Sequence, residues 1–347
     1  MEIKGILVSI IAPMTDHIAN GGEKILGNAS SIKRRPDGRV YISGQKQRHA
    51  FFSAIDRLNF DDKQKADKRS KNSNLSDDEK KNVELVKSTY ISNGDGVTNL
   101  VEIDIRADLG GFLHPKGKEN YSGKRTAPLT ATPAVALEQS KIGRDLLIRL
   151  EQNPNVVTAD AYAKLNDEEK KKFTIGRQAL ATREFSQKDL MLMSFHIDVG
   201  SVGLRKRYKY GDGFHLNTEY IKHIDETERK RRVQLALEAS ASLTDYANNA
   251  RNATSGEPQK VLIVFDTKLS RKASRYFLTE NEVERERILA ELKKRDAVYF
   301  LGDDTSAETD SVADAYEKAM SYLKKNDLFD PSNGAETMTT EQFENAQ

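Results

Sequence analysis

The chain has 347 residues, with 55 Lys and Arg against 53 Asp and Glu, and no cysteine. That length allows one large domain or two ordinary ones, and the missing cysteines exclude a disulfide framework, a thiolate zinc site and a cysteine nucleophile. No apolar run reaches the roughly 18–20 residues a membrane span needs, and Glu2 and Lys4, with no cleavage site, speak against a signal peptide, so a cytoplasmic protein without membrane contact is expected.

In chain order, residues 1–13 alternate as a strand that Pro13 bounds. Residues 15–31, with Gly21, Gly22 and Gly27, read as a loop. A short β-branched run at 40–43 leads to Ser43 or Gly44, the cap of a helix to about Leu58, whose Ala50, Phe51, Ala54, Ile55 and Leu58 recur at helical spacing. Residues 61–87 are charged and rich in Ser and Asn, and read as an insertion. Residues 99–106 alternate as a strand, and 108–124 form a Gly-rich loop. A strand is expected at 190–199, an amphipathic helix at 228–248 and a buried strand at 260–266. A helix at 280–294, a strand at 297–301 and a helix at 310–324 follow, and 333–347 are expected to be a disordered end.

The order strand, helix, strand, strand, helix, strand is that of the split βαβ, or ferredoxin-like, arrangement, which RNA-recognition modules share. The expected fold class is α+β, one RRM-like palm over 1–330 with long insertions, and an acidic tail over 331–347.

The near-zero net charge hides an asymmetry. Residues 301–347 carry a net −8, so residues 1–300 carry +10. Residues 33–58 hold seven Lys and Arg against two acids, and 205–210 read Arg-Lys-Arg-Tyr-Lys-Tyr. Such clusters suit a polyanion or a solvated surface, and the interleaved tyrosines favour the polyanion.

Catalytic motifs are absent: there is no nucleophile elbow, Walker loop or dinucleotide fingerprint. His196 and Asp198 share one strand face, a spacing that can bind metal but also fits a half-exposed strand. No metal, cofactor or enzymatic activity is expected.

The positive signals are basic. Ser43, Gly44, Gln45, Lys46, Arg48 and His49 open a helix whose first amides favour phosphate, and Lys33, Arg34 and Arg35 precede them. Lys124, Arg125 and Thr126 lead a stretch that Pro128 and Pro133 keep extended. It suits either a nucleic-acid backbone or a rigid edge strand. Arg205, Lys206 and Arg207 complete the candidate RNA-binding set.

The succession of the first strand, Ser43-Gly44-Gln45 with Arg48, Arg125-Thr126-Ala127-Pro128-Leu129, residues 195–200 and 258–264 resembles the DevR-type RAMP family. These are the "Cas-seven" backbone subunits of type I CRISPR Cascade complexes. The resemblance covers roughly residues 1–300 and leaves out the acidic tail. It implies an RRM-like palm with a finger-like insertion at 61–97 and a thumb, with 155–189 or the basic strand end after it as the candidate region. Copies would polymerise head-to-tail along a CRISPR guide RNA and present it for pairing with target DNA. Other Cascade subunits and an effector nuclease-helicase would be partners. Ser43, Gln45, Arg48 and His49 would hold the guide backbone. Two alternatives remain: a type III-like subunit that cleaves target RNA, with Asp16 as its carboxylate, and a structural protein that binds no nucleic acid.

Overall fold

A computed structural model describes residues 2–19, 23–24, 30–70, 100–102, 104–115, 122–150, 158–172, 178–247 and 252–345. The architecture is α+β. Strand β1 (Gly5–His17) lies between β10 (Gln178–Asp198) and β13 (Lys260–Asp266), antiparallel to both. Strand β14 (Val298–Asp303) adds antiparallel to β13. On the far edge of β10 run two short strands, β7 (Leu129–Ala131) and β8 (Ala134–Ala136), also antiparallel, and β4 (Tyr41–Ile42) pairs with β8.

Both faces of β1 are covered, which is why its sequence is nearly continuously apolar. Ile6, Val8, Ile10, Ala12 and Met14 join the main core beneath helices α1 (Gly44–Ser70), α5 (Glu226–Ala239) and α7 (Val312–Lys325). Leu7 faces the opposite side with Leu262 and Val264, under α6 (Glu282–Lys294). Fully buried side chains such as Phe51 and Phe195 each contribute about 1.5–3 kcal/mol. Cap chemistry sets the helix starts: Asp225 accepts the Glu228 amide, and Ser311 and Asp314 form a reciprocal capping box.

The outer half of β10 leaves the core and pairs with β9 (Ile142–Leu150). Strands β11 (Leu204–Gly211) and β12 (Phe214–Lys222) form a separate two-stranded sheet, closed by Asp212 and Gly213, both at positive φ. That is the geometry an Asp-Gly hairpin turn requires.

Several expectations are corrected. The 15–31 stretch is not simply a loop: β1 reaches His17, and β2 (Glu23–Lys24) pairs with β3 (Ser30–Ser31). Helix α1 runs past Leu58 through residues 61–70, the first part of the expected insertion; residues 71–99 lie outside the described residues. The expected strand at 99–106 is instead the approach to α2 (Ile105–Gly110). Its start is fixed by Asp104, whose carboxylate accepts from the Arg106 and Ala107 amides at 2.9 and 3.2 Å. The expected loop at 108–124 holds the end of α2 and the hairpin of β5 (Phe112–Pro115) and β6 (Ser122–Arg125). In the 155–189 region, the described residues form α3 (Ala159–Ala163), α4 (Asp167–Lys172) and the outer part of β10.

The tail is also not a disordered end. Thr337 bridges to Lys222, and α8 (Thr340–Asn345) follows with Phe343 buried. Apolar Phe343 and Met338 give this acidic segment something to dock with. Among the described residues no helix is long and apolar enough to cross a membrane.

Candidate nucleic-acid interface

Helix α1 begins where Ser43 caps it, its hydroxyl accepting from the Lys46 amide at 3.3 Å and its carbonyl from the Gln47 amide at 3.0 Å. Gly44 sits tight against the β7–β8 corner, where a Cβ would lie 3.0 Å from the Ala131 carbonyl oxygen. Gln45 is exposed. Lys46 and His49 flank Asp245, the His49 ring at 3.4 Å. Burial lowers the Lys46 pKa, with Asp245 opposing. Burial, then Lys46, lowers that of His49, so His49 is mostly neutral at pH 7. Arg48 is turned inward: its guanidinium donates to the Gly110 carbonyl and lies 5.9 Å from the Phe52 ring centre.

The upstream cations form a small turn. Arg34 bridges to Val40, and Arg35 and Arg39 close the turn through backbone bonds. Arg34 donates to Glu184 at 3.1 Å and Arg39 pairs with Asp37 at 2.7 Å. Arg35 is exposed and Lys33 half-buried.

The β11–β12 hairpin carries the second cluster and sorts it by strand alternation. One face presents Lys206, Tyr208 and Tyr210 on β11, opposite Tyr220, Thr218 and His215 on β12. A register shift after Lys209 keeps His215 on this face, where its ring stands 6.0 and 5.9 Å from those of Tyr208 and Tyr210. The aromatic side chains are open: Tyr208 is 54% exposed, Tyr210 66% and Phe214, at the tip, 73%. On the other face Glu219 holds Arg207 at 2.7 Å and also pairs with Lys209, and both cations pull the Glu219 pKa down.

The hairpin's root is built around Asp108, fully buried at the end of α2. Its carboxylate takes the Arg125 guanidinium, Arg232 Nη1 at 2.8 Å and the Gly203 amide at 2.9 Å. Gly203 has φ +69°, and a Cβ there would lie 2.3 Å from Ile224, so the turn into β11 requires glycine. Arg125 also donates to the carbonyls of Leu204 at 2.6 Å and Ser201 at 2.7 Å. Arg229 donates to Val202, Val199 and Phe329.

The structure therefore divides the sequence-derived set. Gln45, Arg35, Thr126 and Lys206 are open to solvent. Arg125, expected to be open to a ligand, is instead 5% exposed along its side chain, with its donors committed to the hairpin's root. Arg205 is likewise buried, between Phe112 and Phe343 at 5.1 and 5.5 Å. Lys124 lies in β6 beside Arg125. Sequence reasoning missed Asp108, Arg229 and Arg232, and nothing in their spacing announces a buried hub. It also missed the hairpin itself, although Gly211-Asp212-Gly213 between alternating runs signals one. His196 is buried and held neutral, its pKa pushed down to about 4 by burial and then by Arg271.

Two solved structures align with this chain at low sequence identity. One, titled "CRISPR RNA-guided surveillance complex, pre-nicking", aligns with a TM-score of 0.51 and 13% identity over 92% of this chain and 99% of that one. The other, titled "CRISPR RNA-guided surveillance complex", aligns at 0.48 and 11% over the same shares. No curated protein matches in sequence. The model of the family described as "CRISPR-associated negative auto-regulator DevR/Csa2" matches residues 20–284. The chain belongs to the CRISPR-associated DevR/Csa2 family.

Proposed function

We propose that the chain is the CRISPR RNA-binding backbone subunit of a type I surveillance complex, polymerising head-to-tail along the guide and presenting it to target DNA. The observation that carries this reading is the hairpin. Within a CRISPR-associated chain, a projecting two-stranded element offers one face of lysine, histidine and three tyrosines, a surface suited to stacking on single-stranded bases beside a phosphate backbone. It also takes the thumb's role, in place of the 155–189 region.

The sheet acts as an RRM-like palm. In its favour, the spatial order β13–β1–β10–β7/β8 is antiparallel throughout, and β10 splits β1 from the strands that follow α1. That order is the one a split βαβ arrangement calls for, which supports the palm reading. The amides that open α1 at Gly44 and Gln45, with Lys46 in the same turn, supply a phosphate contact. The role is binding, with no reaction assigned to the chain. A solved structure of fold-level similarity bears a surveillance-complex title, which agrees with partnership to guide RNA and other complex subunits.

The test is to purify the protein without nuclease and sequence any RNA that comes with it. Repeat-spacer RNA is the expected result. Loss of that RNA in a Tyr208→Ala, Tyr210→Ala variant with an unchanged melting temperature would locate its site. Protein free of nucleic acid and monomeric by light scattering with saturating long guide RNA would sink the reading.

A further inference from the structure

The C-terminal segment lies beyond the residues matched to the family, yet it is joined to the hairpin at several points. Thr337 bridges in parallel to Lys222, and the Met338 amide donates to the Lys222 carbonyl at 2.8 Å, so the tail adds itself to the root of β12. The ring of His223, the residue after β12, reaches the Met338 carbonyl through Nδ1 at 2.7 Å. A carbonyl only accepts, so Nδ1–H is the donor, and burial holds the His223 pKa at about 4, which keeps the ring neutral at pH 7. Phe343 closes over the same place, 5.6 Å from the His223 ring and 5.5 Å from the Arg205 guanidinium. Upstream in the tail, Asp330 pairs with Lys222 at 2.5 Å.

The segment has a second anchorage. The Thr340 amide donates to the Glu102 carboxylate at 2.8 Å, and the Thr340 hydroxyl donates to the same group. The Glu102 carbonyl accepts from Arg232 at 3.0 Å, and Arg232 holds Asp108, which holds Gly203. The tail thus ties the hairpin's root, through Glu102, to the hub. A two-stranded hairpin has little stability alone and no third strand to fix its angle, so the direction in which β11–β12 leave the palm is set by what grips its root.

We propose that residues 337–343 are a strap that sets the hairpin's orientation, and that Thr340 and Phe343 are positioning residues for RNA engagement without touching RNA. The RNA part rests on the hairpin being the guide-binding element; the orientation part does not. The strap is a support, and its removal weakens RNA binding in spite of removing acidic charge.

The test compares the full chain with Phe343→Ala and the milder Thr340→Val, read by hydrogen exchange and by guide RNA titration at several salt concentrations. Amides of 204–223 in Phe343→Ala are expected to exchange about tenfold or more faster, while those of β1 and β13 stay unchanged. Guide affinity is expected to fall about tenfold with an unchanged salt slope, because no phosphate contact is lost. Thr340→Val is expected to move both in the same direction by less. Unchanged exchange at 204–223 in both variants overturns the strap, whatever RNA does. Faster exchange with unaltered affinity, when Tyr208→Ala does weaken binding, overturns the positioning role. If Tyr208→Ala also leaves affinity unaltered, the RNA reading of the hairpin fails and the strap's mechanical role stands on the exchange data.

Discussion

The two basic clusters look alike in sequence and end in opposite states. In residues 33–49 the chain is folded back on the palm, and three of the four arginines are engaged within the protein: Arg34 by Glu184, Arg39 by Asp37, Arg48 by the Gly110 carbonyl. In residues 205–210 a denser run of charge lies on the two-stranded hairpin, and alternation divides it. Arg205 is buried at the root and Arg207 is held by Glu219, while Lys206, Tyr208 and Tyr210 face outward together. Charge density therefore says that a polyanion is a fitting partner, and topology decides which side chains are left to meet it.

The largest effect that would sharpen this contrast lies at the root. Arg125→Ala strips Asp108 of one of its two cations and leaves the Ser201 and Leu204 carbonyls short of a donor. Breaking a buried pair from one side costs about 3–5 kcal/mol, which urea unfolding would read directly. If the variant keeps wild-type stability but loses guide binding, Arg125 is a ligand residue after all. Next in size is the double change Tyr208→Ala, Tyr210→Ala. Stacking is worth about 1–3 kcal/mol per base, so affinity should drop about a hundredfold. Stability should hardly move, since both rings are more than half exposed.

A somewhat smaller effect is expected from acid. Burial, with Arg205 and Arg125 nearby, holds His223 at about 4 against an ordinary 6.5. The unfolded chain therefore binds a proton that the native state refuses between those values, and this group's contribution is intact above pH 6.5 and shrinks as pH falls toward 4. From pH 7.5 to 5 that amounts to about 2 kcal/mol. Urea midpoints of the wild type and a His223→Gln variant across this range would show it as a flatter profile in the variant. Equal slopes would mean that His223 titrates normally.

How legible the molecule was follows from what each element depends on. Strands β1 and β13 and helices α6 and α7 showed in the sequence because burial writes its own period, and Lys260–Asp266 is bounded where the apolar run is. The start of α1 at Ser43–Gly44 followed from cap chemistry alone. Residues 99–106 misled because Val101, Ile103 and Ile105 alternate over a span too short to separate a strand from a helix approach, and the Asp104 cap decides it. The hub was not legible. Asp108, Arg125 and Arg232 are brought together from separate stretches of chain, and no local pattern distinguishes a buried arginine from a solvated one. The tail misled for a related reason: its acidic composition reads as solvated, while two apolar side chains and a threonine hold it in place.

The smallest expected effect tests the comparison most evenly, because it uses one substitution type at four positions. Arg35 and Lys206 are exposed, one in each cluster, whereas Arg48 and Arg207 are engaged within the protein. A phosphate contact on a single strand contributes about 0.7 to the slope of log affinity against log salt. Arg35→Ala and Lys206→Ala should each lower the slope by about that amount at unchanged melting temperature. Arg207→Ala should leave the slope alone, and Arg48→Ala should lower stability, since its guanidinium packs on Phe52 and ties α1 to α2. A reduced slope for Arg48→Ala or Arg207→Ala, at wild-type stability, would mean that RNA draws these arginines out of their internal pairs. The division between committed and available cations would then hold only for the free protein.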